Sequence, residues 1–198
     1  MPAMKSFPGT FIVFEGIDGC GKGTQARMLK DYFESQGREV VSRHEPTYES
    51  EPSLKIKQIL RNHEKVSLYD LALLYVADRK WNTETHLLPA LHAGKIVIED
   101  RYKQSTIAFE STERIEEMIE LNKDFPDADL TIILKVPGEM CLERIGKRKE
   151  GYELFDSLEK MSKIWERYET FPSQFPNTYI VDGTDTPEEV SARIKKLL

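Results

Sequence analysis

Two clusters of residues in this chain have the types and spacing to do chemistry. The first is Gly16-Ile17-Asp18-Gly19-Cys20-Gly21-Lys22-Gly23-Thr24, which fits G-x-x-x-x-G-K. Glycines at that spacing let successive backbone N–H groups close around phosphate oxygens with no Cβ in the way. Lys22 adds a mobile cation for the outer phosphates. A helix opening after the loop points its positive end at the same anion. These are the requirements of a nucleoside triphosphate site, with Gly16, Asp18, Gly19, Cys20, Gly21, Lys22, Gly23 and Thr24 as its candidate residues. One position departs from the motif: Gly23 stands where Ser or Thr normally meets Mg²⁺, and Thr24 follows it. The second cluster is Asp100-Arg101-Tyr102-Lys103-Gln104-Ser105. Asp100 is placed to hold Mg²⁺ through water, and the planar guanidinium of Arg101 suits a phosphate.

The elements that must position these clusters are legible in the hydrophobic pattern. Thr10 to Phe14 is an apolar run directly before the glycine loop, and Gln25 to Phe33 has helical spacing after it. Strand, loop and helix is the context the phosphate motif needs. Four more short apolar runs read as strands: 39–42, 95–99, 130–136 and 177–181. Between them the spacing predicts helices over 53–61, 67–93, 137–147, 154–170 and 187–197. Pro89 marks a second start or kink in the long one, and Thr186 is a good N-cap for the last. Five apolar strands alternating with helices predict a parallel sheet covered on both faces. Ligands then sit beyond the carboxyl ends of the strands, where both clusters lie.

The 198 residues predict one domain, with a short loose leader over 1–9 and Met4 as an alternative start. Charged residues are 31% and hydrophobic ones 39%, the balance of a globular protein. A net charge of −6 argues against a general nucleic-acid binder. No apolar run reaches the roughly 18 residues of a membrane span, and the start lacks a signal-peptide apolar region. Cys20 and Cys141 are too few for a disulfide framework, so a reducing cytoplasm is expected. Cys20 reads first as the filler of a small-residue position in the loop; a thiol at a helix N-terminus can also have a lowered pKa, which would make it sensitive to oxidation.

With these motifs in place the chain resembles the thymidylate kinase family. F-E-G-x-D-G-x-G-K at the first strand is similar to its phosphate loop, and D-R-Y-x-x-S-x-x-A-F after the third strand to its second motif. Leu73-Leu74-Tyr75-Val76-Ala77-Asp78-Arg79 resembles its L-x-[FY]-x-A-[DN]-R helix. Pro126-Asp127-Ala128-Asp129-Leu130-Thr131 and Leu142-Glu143-Arg144-Ile145 resemble a later strand and helix. The resemblance runs through residues 10–197 and implies a P-loop nucleoside monophosphate kinase-like three-layer α/β fold. It implies phosphorylation of dTMP by ATP with Mg²⁺, in a homodimer that binds neither nucleic acid nor membrane.

It also implies roles. Lys22 and the loop hold the ATP phosphates, and Arg144 packs on adenine. Asp18 meets the deoxyribose 3′-hydroxyl, and Asp100 with Thr24 organises the metal. Arg101 takes the acceptor phosphate. Tyr75 stacks on thymine, Arg79 bonds its O4 edge, Ser105 lies near the base, and Phe109 crowds the sugar 2′ position. Lys147, Arg148 and Lys149 in a lid over about 146–153 close over the transferring phosphoryl group, with Arg148 as the catalytic cation. His44 stands where the family often has Arg, Phe109 where it often has Tyr, and Lys135 where it often has Asp.

The residues by themselves leave the acceptor open. A phosphate acceptor, with its second pKa about 6, is already ionised and needs no base. A nucleoside hydroxyl would need one, for which Glu45 is the candidate. Other nucleoside monophosphates also fit this pattern. A guanine-reading switch protein does not, because Asn122-Lys123-Asp124-Phe125 lacks the Asp of N-K-x-D.

Overall fold

The computed structural model describes residues 7–109, 114–147 and 157–198. Five strands, β1 (Thr10–Glu15), β2 (Val40–His44), β3 (Ile96–Asp100), β4 (Leu130–Lys135) and β5 (Thr178–Asp182), form one all-parallel sheet in the order β2-β3-β1-β4-β5. The central strands are continuous apolar runs because both faces are covered. In β1, Ile12 and Phe14 point into one core layer with Ile98, Ile132 and Leu29. Phe11 and Val13 point to the other, with Leu87, Leu91, Val97 and Tyr102. That alternation is the period of two of an extended chain.

The helices are α1 (Lys22–Ser35), α2 (Glu51–Asn62), α3 (Leu68–Asn82), α4 (Leu88–His92), α5 (Lys103–Phe109), α6 (Ile115–Asn122), α7 (Gly138–Lys147), α8 (Leu158–Gln174) and α9 (Pro187–Lys195). The stretch expected as one long helix over 67–93 divides into α3, a π turn over Thr83–Leu87 and α4, with Pro89 in the first turn of α4. Thr186 caps α9 in a reciprocal capping box with Glu189. Helix α1 begins at Lys22, three residues earlier than the apolar spacing indicates, because its first turn belongs to the phosphate loop and carries no apolar side chain. Helix α8 runs on through Pro172 to Gln174, and residues 154–156, expected to open it, lie outside the described residues. Helices α5 and α6 were not anticipated. Among the described residues no helix is long and apolar enough to cross a membrane.

Strand register levels the functional ends. Phe14 and His44 both pair with Asp100. Arg101 N–H donates to Phe14 O at 2.8 Å, and Glu45 N–H to Asp100 O at 3.0 Å. The glycine loop, the Asp100-Arg101 pair and the His44-Glu45 pair therefore leave three adjacent strands at one edge.

Candidate active site

Above that edge lies a cleft of about 630 Å³. Its wall includes Asp18, Gly19, Gly21, Lys22, Gly23 and Thr24 from the loop, Asp100 and Arg101 after β3, and Tyr75, Arg79, Ser105 and Phe109 from α3 and α5. Residues far apart in sequence and named there as candidates thus share one cavity. His44, Glu45, Tyr48 and Arg27 line it too. Arg144 stands beside the loop instead, its guanidinium 3.5 Å from Cys20 O. Arg148 and Lys149 lie outside the described residues.

The loop owes its shape to glycine at defined points. Gly19 has φ 80°, and a Cβ there would come within 2.5 Å of Cys141 O. Only glycine meets both conditions. Lys22, 6% exposed, donates to Gly16 O at 3.1 Å and Ile17 O at 3.0 Å. Burial pushes the Cys20 thiol up, against the partial opposition of Lys22 and Arg101. Desolvation thus outweighs the helix end, and the thiol is raised where a helix N-terminus could have lowered it.

Asp100 carries the fit for a metal. Its Oδ1 is buried with no hydrogen-bond partner among the described residues, and its Oδ2 faces Gly23, where a Cβ would stand 3.4 Å away. A buried carboxylate oxygen without a donor is a site that favours a cation. Among the described residues no three His, Cys, Asp or Glu side chains cluster as a metal cage. Magnesium characteristically takes one or two carboxylates and completes its shell with phosphates and water, which Asp100 beside a phosphate loop suits.

Arg101 has φ 74°, unusual for a residue with a side chain. Its Nη2 donates to Asp18 Oδ1 at 2.5 Å and its Nη1 to Ser105 Oγ at 3.0 Å, while the guanidinium lies 4.8 Å from the Phe109 ring centroid. Behind it Glu15, fully buried, accepts from Tyr102 N, Ser105 N, Ser105 Oγ and Tyr168 Oη. Burial raises the pKa of Glu15; these hydrogen bonds and Arg101 work the other way.

Arg79 is 1% exposed and its donors are largely committed. Nε and Nη2 both reach Glu45 Oε2, at 2.9 and 2.6 Å. Nη2 also meets Tyr102 O and Thr106 Oγ1, and Nη1 meets Asn122 Oδ1. A guanidinium has five N–H groups, so one on Nη1 has no partner among the described residues. Glu45, the candidate base, is thus paired to Arg79; desolvation lifts its pKa to about 7 although Arg79 lowers it. Beside it Glu99 is raised well above an ordinary carboxyl, first by burial and then by Glu45. The sequence reading assigned no site role to Glu15, Asn122, Thr106 or Tyr168, although Glu15 is the Glu of F-E-G-x-D-G-x-G-K. Each meets the site only through the fold.

The family model for thymidylate kinase matches residues 14–194. A probable thymidylate kinase of Pyrococcus horikoshii is 36% identical over 197 residues, covering 96% of each chain. A thymidylate kinase of Desulfotalea psychrophila is 37% identical over 168 residues, covering 82% of this chain and 83% of its own. The solved thymidylate kinase of Candida albicans superimposes with a TM-score of 0.79 at 23% identity, over 98% of this chain and 92% of that one. That last likeness is one of fold.

Proposed function

The chain belongs to the thymidylate kinase family, and from that premise we propose how its residues carry the reaction. It phosphorylates dTMP to dTDP. We propose ATP as the donor, with Mg²⁺. The observation that supports this most is the single cleft into which the glycine loop, Asp100, Arg101, Tyr75 and Arg79 all open.

The acceptor is a phosphate oxygen already ionised near neutrality, so no base has to act. The difficulty is bringing two polyanions together, and the chain meets it with cations and aligned N–H groups. Lys22 and the loop amides bind the donor phosphates, and Arg144 packs against the adenine. Asp100, with Thr24 nearby, would hold the metal, which would supply charge neutralisation to the transferring phosphoryl group. Arg101 takes the acceptor phosphate. Asp18, which pairs with Arg101, turns to the 3′-hydroxyl. Tyr75 stacks on the thymine, and the remaining Nη1 proton of Arg79 donates to its O4. Ser105 and Phe109 flank the base and sugar. Arg148 closes from the lid with Lys147 and Lys149. A homodimer in the cytoplasm completes the reading.

The test is ATP-dependent turnover across a panel of deoxy- and ribonucleoside monophosphates, with thymidine as a control. dTMP should be the best acceptor and thymidine should not react. A purine monophosphate or dCMP as the best acceptor would overturn the base assignment. Turnover of thymidine in preference to dTMP would overturn the acceptor class. Sedimentation at working concentration checks the dimer.

A further inference from the structure

Arg101 cannot be held by its own backbone preference. A side-chain-bearing residue at φ 74° costs about 1–3 kcal/mol and persists only where its surroundings over-determine it. On the cleft side the holder is Asp18, at 2.5 Å. On the core side the holder is the Ser105 hydroxyl, at 3.0 Å. The direction of that hydroxyl is fixed from behind. Ser105 Oγ donates to Glu15 Oε2 at 2.6 Å, so its lone pairs face the guanidinium. Tyr168 on α8 donates to the same oxygen at 2.9 Å, and the N–H groups of Tyr102 and Ser105 fill Oε1 at 2.9 and 3.1 Å. All four contacts of Glu15 come from donors. A carboxylate has lone pairs on both oxygens for all four, whereas an amide in its place would turn one acceptor into a donor.

We propose that Glu15 is a positioning residue for the acceptor arginine, acting on Arg101 through the Ser105 hydroxyl. The proposal rests on the reading that Arg101 binds the acceptor phosphate. Glu15 touches no substrate; it fixes the polarity of a chain that ends at a residue that does. A glutamine in its place has the same shape but one amide that donates. With the amide toward Oε1's partners it faces two backbone N–H groups. With the amide toward Oε2's partners it drives the Ser105 proton toward Arg101, donor against donor. The first orientation opposes the backbone N–H groups of Tyr102 and Ser105, which carry the Arg101 turn and the Ser105 hydroxyl; the second takes the core-side acceptor from Arg101 directly.

The test is a double-mutant cycle on kcat/KM for dTMP, with KM for ATP and Tm measured alongside. Glu15→Gln should lower kcat/KM for dTMP roughly 10²-fold, the scale of a misplaced reacting group, with KM for ATP little changed. In an Arg101→Ala background the same substitution should cost about 2-fold or less, since nothing is left to position. Ser105→Ala should reproduce the loss and Ser105→Thr, which keeps the hydroxyl, should restore most of it. If Glu15→Gln fails to fold, Ser105→Ala in the two backgrounds decides the question. An equal loss in both backgrounds overturns the proposal while leaving Arg101 in its role. An Arg101→Ala enzyme with near wild-type kcat/KM overturns that role, and the proposal with it.

Discussion

Arg101 and Arg79 open into the same cleft but stand differently toward the fold. The Arg101 side chain is 15% exposed and its ion pair is with Asp18, itself at the cleft. Arg79 is 1% exposed and pairs with a carboxylate that is 2% exposed. Removing one partner of a buried pair leaves an uncompensated charge, which costs about 3–5 kcal/mol. Lys22→Ala and Arg101→Ala should therefore each lose about 10² in kcat/KM, roughly 2.7 kcal/mol of transition-state stabilisation, with little change in Tm. Either variant turning over dTMP near the wild-type rate would remove that residue from the mechanism. Arg79→Ala should lower Tm as well and so cannot isolate recognition. Arg79→Lys keeps a charge beside Glu45 but loses the planar fork. Cytosine presents an amino donor where thymine has an acceptor, so the wild type should prefer dTMP to dCMP by about 10². Arg79→Lys should compress that ratio more than it changes the dTMP to dUMP ratio, which depends on one methyl. Unequal loss in the opposite sense would place the O4 contact elsewhere.

At the scale of elements, one buried carboxylate ties α3 to the segment before α2. Asp78 accepts from Thr47 N at 2.8 Å, Thr47 Oγ1 at 2.6 Å and Ser50 Oγ at 2.6 Å, and Ser50 in turn caps α2. That segment carries Glu45 and Tyr48 into the cleft. Asp78→Ala would strand the Thr47 N–H and leave the Thr47 and Ser50 hydroxyls to share Ser53 Oγ, each donor costing about 1–3 kcal/mol when buried and unmade. A fall of about 3 kcal/mol or more is expected, together with faster amide exchange over residues 45–50. Exchange that rises evenly along the whole chain would contradict a local tie. Asp78 also shows the limit of reading the sequence. Its helical spacing with Leu71, Leu74 and Tyr75 is visible, and puts it on the inward stripe. Its partners 28 and 31 residues away are not. The central strands were legible because fully covered strands are unbroken apolar runs, and the glycine loop because its spacing is rigid. Helices α5 and α6 were not, since seven and eight residues are too few to show a period. Lys103, Gln104 and Thr106 are buried on α5 although polar, so its inward side is not marked by hydrophobicity. The candidate residues were found as points; the bonds Glu45–Arg79 and Glu15–Ser105–Arg101 exist only after folding.

For the whole molecule, the buried acids behind the cleft set how stability depends on pH. Glu99 is fully buried between Asn82, which donates to Oε1 at 2.9 Å, and Glu45; its Oε2 has no partner among the described residues. Burial first, and the Glu45 charge second, raise its pKa well above the ordinary 4.5, and Glu45 rises to about 7. In the unfolded chain both acids lose their protons near the ordinary value. Between that value and the raised one the folded state binds more protons, so stability falls as pH rises. The contribution is complete below about pH 4.5 and is lost as pH passes the folded values. Glu99→Gln replaces a neutral acid with a neutral amide that still accepts from Asn82 and cannot ionise. It removes the Glu99 share of the slope and lets Glu45 ionise without a like charge beside it. Thermal melts of the wild type from pH 5 to 8.5 should therefore decline more steeply than those of Glu99→Gln, and the variant should gain on the wild type toward the alkaline end. Parallel curves would mean that Glu99 is already ionised in the folded protein at pH 5.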